Sequence, residues 1–131
     1  MQKKTYKLTE TIANSVTNLR DLCYQESFNA GWHTDINTGK LKERNKGEMI
    51  ALIHSEVSEM LEGERKDLMD DKLVHRKMAE VEAADIVIRV MDYCGRWNYD
   101  IGNALLEKIA FNRERADFKS ENRLKEGGKK F

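Results

Sequence analysis

Four carboxylates stand in two pairs of matching spacing, Glu56 with Glu59 and Glu82 with Asp85. On a helix, residues three apart project from one face, so each pair offers two acidic oxygen donors side by side. The surrounding segments, EMIALIHSEVSEMLEGERK and VEAADIVIRVMDYCG, are apolar at helical spacing, and the acids intrude on that apolar side. An ionised carboxylate buried without a partner is very costly, so these acids require compensation. If the two helices pack antiparallel with these faces together, the four carboxylates converge. The natural compensator is then a hard divalent cation, Mg²⁺ with Mn²⁺ as a substitute, of the kind that bridges protein to a substrate phosphate.

Downstream, Lys108, Asn112 and Arg115 follow at i+4 and i+3 steps and share a face suited to phosphate oxygens. Metal and basic donors around a phosphate chain form an arrangement for phosphoryl or phosphoanhydride chemistry. The metal neutralises oxygens and activates a water, and a carboxylate accepts its proton. A single ExxE pair means little in a Glu-rich helical chain, where most such pairs are solvated. Two pairs on apolar faces carry more weight. The competing reading is an acid stripe salt-bridged to Arg89 and Lys77, with no metal. Arg89 and Asp92 continue the stripe and either contact sugar or phosphate, or pair with each other and with the second helix; the residues leave both open.

Helices must position these groups. The chain has 131 residues, no proline and 35% charged residues, which fits one all-α domain, taken as residues 1–118, rather than a turn-rich β fold. Thr9 caps a first helix through TIANSVTNLRDLCYQESF, which ends before Gly31. The loop GWHTDINTGK follows, with Trp32 and His33 placed where a base can stack or hydrogen-bond. A second helix spans about ERNKGEMIALIHSEVSEMLEGERK, KDLMDDK connects, and a third runs from about His75 to Trp97, with Tyr93 and Trp97 expected in the core. Asp100 caps a fourth helix through IGNALLEKIAFNRERADF. Residues 119–131 are polar and are expected to form a flexible tail. The third helix is apolar on Val81, Val87, Ile88, Val90, Met91 and Cys94, more surface than one small subunit covers, which points to a second copy.

A net charge of zero gives no bulk electrostatic reason to expect nucleic acid or an anionic membrane as partner. No stretch approaches membrane-spanning length, and the basic start lacks an apolar signal core. Cys23 and Cys94 have no CxxC neighbour and are expected as reduced thiols in a cytoplasmic protein. His33, His54 and His75 show no zinc-binding spacing.

The strings EMIALIHSEVSEMLEGERK, EVEAADIVIRVMDYCG and EKIAFNRERADF, in that order, resemble the MazG-like all-α nucleoside triphosphate pyrophosphohydrolases over roughly residues 32–118. The chain looks most like the short, stand-alone members, including those of bacteriophages. The resemblance implies an antiparallel four-helix-bundle-like fold assembled as a homodimer or homotetramer. It implies Mg²⁺-dependent conversion of a (deoxy)nucleoside triphosphate, dGTP or dCTP by analogy with the phage-like type, to monophosphate and pyrophosphate, in the host cytoplasm if phage-encoded. Carried onto this sequence, Glu56, Glu59, Glu82 and Asp85 are the metal ligands and catalytic carboxylates. Lys108, Asn112 and Arg115 hold the triphosphate, with Arg89 and Trp32 as further substrate contacts. Many relatives carry EExxE where this chain has Ser55, so a third carboxylate on that helix is missing and the general base stays open between Glu56 and Glu59. The rivals are a non-catalytic helical interaction module and a nucleotide-binding sensor.

Overall fold

The computed structural model describes residues 2–131, and their regular structure is entirely helical. Helix α1 spans Glu10–Asn29, α2 Lys46–Arg65, α3 Met78–Arg96 and α4 Ile101–Glu114; a 3₁₀ turn at Ala116–Phe118 and a one-turn α5 at Ser120–Arg123 follow. Two isolated antiparallel bridges, Thr34 with Leu41 and Met69 with Lys77, tighten the loops before α2 and α3. The chain groups into two compact units, one of Asn18–Tyr99 and the other of Met1–Thr17 with Asp100–Phe131. No helix of the described residues is long and apolar enough to cross a membrane.

Side-chain caps set the helix starts. Thr9 Oγ1 accepts from the Ile12 amide (3.4 Å), Asn45 Oδ1 from Glu48 (3.0 Å) and Asp100 Oδ1 from Asn103 (3.4 Å), each satisfying a first-turn N–H that has no intrahelical partner. The Asn45 cap starts α2 at Lys46, later than its charged run suggests. Helix α3 starts at Met78 rather than near His75 because the preceding residues are otherwise engaged. Buried Asp70 accepts from the amides of Lys72 (3.0 Å) and Leu73 (2.7 Å), and the Met78 amide donates to the Leu68 carbonyl (2.9 Å). Helix α4 ends at Glu114 because Arg115 turns extended, at φ −66° and ψ 135°, and Ala116–Phe118 forms the 3₁₀ turn. In the polar C-terminal stretch, Lys129 Nζ donates to Asp117 (2.8 Å), and α5 supplies a helical turn.

Within the Asn18–Tyr99 unit α2 packs along α3, and the register is antiparallel. Lys46, at the start of α2, donates to Tyr99 Oη (3.0 Å) just past the end of α3 and lies 4.9 Å over the Trp97 ring. Glu56 meets Arg89 midway. Near the end of α2, buried Gly63 faces the start of α3, where an added Cβ would meet Ala79 N and Met78 Cβ at 3.0 Å. Gly95 of α3 sits against α1 so closely that a Cβ there would lie 2.4 Å from Tyr24 Cβ. Cys23, Met49, Ala79, Met91 and Cys94 are the buried apolar residues of this unit. Tyr93 and Trp97 are half-buried, their rings 5.1 Å apart, in a cluster with Tyr99.

In the other unit, Gly102 of α4 abuts α1, where an added Cβ would lie 2.4 Å from the Ala13 carbonyl oxygen. Arg113 Nη2 donates to the Tyr6 carbonyl (2.9 Å).

Candidate functional site

Antiparallel packing of α2 on α3 brings Glu56 together with Glu82 and Asp85, and one carboxylate oxygen of each lies within 4.8 Å of the other two. All three are partly buried. Glu59 shares the spacing but stands exposed and outside this group, although its charge is felt at Glu82. The sequence thus offers four acids in two pairs, and the fold gathers three of them. Ser55 adds no donor, because its hydroxyl is turned to the Leu52 carbonyl (2.6 Å).

The cluster is short of positive charge. Burial holds the Glu82 carboxyl up to about 7, helped by a hydrogen bond with Glu56 and by the charges of Glu56, Asp85 and Glu59. Asp85 is raised too, first by burial and then by Glu56; Arg89 and Lys72 pull it partly back. The direct counter-charge is Arg89, whose Nε donates to Glu56 Oε1 at 2.7 Å. Lys77, the other cation of the salt-bridged reading, instead pairs with Asp67 (2.6 Å). Three crowded, partly buried hard oxygen donors, the Glu82 carboxyl among them pushed up first by burial and then by its acidic neighbours, form a donor set that fits a divalent cation.

Glu56 and Asp85 open onto a cleft of about 710 Å³ also lined by Arg89, Trp32, Lys42 and Arg44. Trp32 is 63% exposed there. His33, its neighbour, is fully buried and does not line the cleft, so it offers nothing to a base. Its Nε2 lies 2.7 Å from Asp92 Oδ1, and Ser27 Oγ donates to Asp92 Oδ2 at 3.0 Å. Both stripe residues left open by the sequence are therefore paired within the protein, Arg89 to α2 and Asp92 to α1 and the loop. Lys42 and Arg44 are not marked by the sequence pattern, which sets Arg44 in the first turn of the second helix and gives Lys42 no element. The signal for them is the turn before them. Asp35 Oδ1 accepts from the amides of Asn37 (2.9 Å) and Thr38 (2.8 Å), Gly39 takes φ 67°, and the chain doubles back so that the Lys42 amide donates to the His33 carbonyl (3.0 Å).

Lys108, Asn112 and Arg115 belong to the unit of Met1–Thr17 and Asp100–Phe131. There Arg115 Nη1 approaches Asn112 Oδ1 at 3.5 Å while its Nε and Nη2 fork onto Asp117. Lys108 Nζ lies 4.9 Å over the Phe111 ring.

No family model, curated protein or solved structure matches the chain.

Proposed function

We propose that this protein is a Mg²⁺-dependent nucleotide pyrophosphohydrolase of the MazG-like kind, converting a (deoxy)nucleoside triphosphate to the monophosphate and pyrophosphate. The observation that carries the reading is the convergence of Glu56, Glu82 and Asp85 beside a cleft that also presents an exposed tryptophan and the cations Lys42, Arg44 and Arg89. Mg²⁺ held by these three carboxylates would supply Lewis acidity toward the phosphate oxygens. Glu59, close to the cluster yet outside it, takes the proton of the attacking water. The oxygen of that water bonds to phosphorus as the α–β anhydride bond breaks, and pyrophosphate leaves with the electron pair. Arg89, Lys42 and Arg44, which line the cleft, balance the charge of the phosphate chain. Trp32 stacks on the base, guanine and cytosine being the first to try.

The same reading makes the fold an antiparallel four-helix-bundle-like MazG arrangement working in the cytoplasm as a homodimer or homotetramer. Val57, Leu61, Val87 and Ile88, between 42% and 58% exposed, are the apolar surface a second copy would cover.

The Arg89–Glu56 pair favours a second reading, a salt-bridged helical module without metal or turnover. One experiment separates them. The purified protein is incubated with each canonical NTP and dNTP, with Mg²⁺ or with chelator, and the products are resolved by ion-exchange chromatography beside an Asp85→Ala control. Monophosphate and pyrophosphate, lost with chelator and in the variant, support the enzyme. Binding without turnover leaves a nucleotide sensor, and no response to metal or nucleotide leaves the module.

A further inference from the structure

Trp32 is solvent-exposed, yet the backbone around it is held from several sides. Its own carbonyl accepts from Arg44 Nη1 at 2.7 Å. The next residue, His33, is 0% exposed and anchored to Asp92. The His33 carbonyl accepts from the Lys42 amide (3.0 Å), the Lys42 carbonyl accepts from Arg96 Nη2 (3.1 Å), and the Thr34–Leu41 bridge continues the pairing. The base of this short hairpin carries both Trp32 and Lys42, which line the cleft.

The anchor joins three elements. Asp92 lies on α3, Ser27 on α1 and His33 in the loop, and each Asp92 oxygen takes one of the two partners. With a carboxylate as acceptor, Nε2 carries the hydrogen, which leaves Nδ1 as a buried nitrogen without a hydrogen-bond partner. An apolar ring of this size would spare the unsatisfied nitrogen but leave Asp92 Oδ1 without its donor, so what the histidine adds over packing is the directional bond to Asp92. A directional hydrogen bond fixes one placement of the loop where an apolar plug permits several. Tyr24 closes the other side of the ring, 5.0 Å between centroids.

We propose that the Ser27–Asp92–His33 network is a positioning device that holds Trp32 as a fixed platform for the base of the bound nucleotide, while the carboxylate cluster handles the phosphate chain. The inference rests on the nucleotide reading above. Ser27 and Asp92 also line the cleft, but their polar atoms are turned to each other and to His33, so the three are positioning residues that act through Trp32, and the double variant below separates this from direct contact. A preset platform gains affinity because the indole and its loop lose little further freedom on binding.

The test compares two Mg²⁺-loaded probes on the full chain, a hydrolysable nucleoside triphosphate and inorganic tripolyphosphate, which has no base. Binding is followed by calorimetry with an α,β-methylene analogue of the nucleotide that cannot be cleaved, and kcat and KM are measured separately with the nucleotide itself. Trp32→Ala is expected to weaken the nucleotide about tenfold or more, the usual loss of one base–aromatic stack, and to leave tripolyphosphate unchanged. Ser27→Ala and Asp92→Ala should reproduce that selective loss in KM with kcat kept, Ser27→Thr should restore it, and the Trp32→Ala/Ser27→Ala double variant should be no worse than Trp32→Ala alone. Ser27→Ala carries the test if Asp92→Ala does not fold. In a Trp97→Phe background, where Trp32 is the remaining indole, Ser27→Ala should also shift Trp32 emission and increase its quenching by acrylamide. Additive losses in the double variant, equal loss of tripolyphosphate, or unchanged nucleotide affinity in Ser27→Ala would overturn the positioning role. If wild type hydrolyses nucleotides while Trp32→Ala binds them normally, this inference fails and the enzyme stands. If wild type binds neither probe, both fall.

Discussion

Arg89 donates its Nε to Glu56 Oε1 at 2.7 Å, so a cation of α3 sits on one of three carboxylates that otherwise face one another. It occupies, in charge, part of the place a metal would take. Arg89→Gln should lower stability by on the order of 1 kcal/mol, a figure kept small because the guanidinium side chain is 40% exposed and screened by solvent. The same change should increase the rise in melting temperature on adding Mg²⁺, since the cluster has lost its competing cation. Thermal unfolding with and without Mg²⁺ checks both. An equal Mg²⁺ response in wild type and variant would mean that arginine and metal do not compete.

Glu82 makes stability depend on pH in a definite direction. Its folded value of about 7 lies above the ordinary 4.5, so between these values the folded state binds more protons than the unfolded chain. Its stabilising contribution is complete below 4.5 and is lost as pH rises through about 7. Melting temperatures measured across that window without metal should fall toward the alkaline end more steeply in wild type than in Glu82→Gln, which mimics the protonated form. Saturating Mg²⁺ should raise the melting temperature most on the alkaline side, where the cluster is ionised.

Glu56 and Glu59 form one ExxE pair in the sequence and part company in the fold, one inside the cluster and the other exposed beside it. Glu56→Gln should therefore weaken Mg²⁺ binding measured by calorimetry. Glu59→Gln should leave that affinity within about twofold and reduce kcat by about a hundredfold, the usual contribution of a general base. Loss of Mg²⁺ affinity in both variants would make Glu59 a fourth ligand.

The helices and the acid cluster were legible because both rest on local rules. Apolar period and the caps Thr9 and Asp100 place the helices, and i, i+3 spacing puts two acids on one face. What local rules omit is the direction from which the next helix arrives. A single-helix projection already sets Glu56 between Leu52, Ile53 and Met60 and Glu59 at the edge of that face; the arrival of α3 decides that Glu56 meets Glu82 and Asp85 while the edge stays exposed. The pairing of His33 with Asp92 spans 59 residues and depends on how the loop folds back, so His33 reads as a loop residue until its burial is seen. Nor does periodicity mark Gly63 and Gly95, whose value lies in what approaches them.

Gly95 tests that close approach. An alanine Cβ would lie 2.4 Å from Tyr24 Cβ and 2.9 Å from Cγ, so α1 and α3 would have to separate or Tyr24 repack. The gain in helix propensity, about 1 kcal/mol, opposes an overpacking cost of about 1–3 kcal/mol or more. A Cβ–Cβ clash close to the backbone leaves little room to adjust, so the cost should prevail and Gly95→Ala should be less stable in urea unfolding. A stabilised variant would show that the helices part readily at this point.

Val57 and Leu61 lie one helical turn apart on α2, 42% and 58% exposed, and border a shallow apolar depression with Met60 and Ala79. Exposed apolar neighbours on adjacent helices are the surface that a second copy would remove from water. If these residues hold an assembly together, Leu61→Glu should lower the mass measured by light scattering toward the single-chain 15.2 kDa and reduce stability as well, since charge would replace an apolar contact. Wild type measured at the single-chain mass would remove the interface. A Leu61→Glu protein that keeps the wild-type multimeric mass would move it elsewhere, with Val87 and Ile88 on α3 the next surface to test.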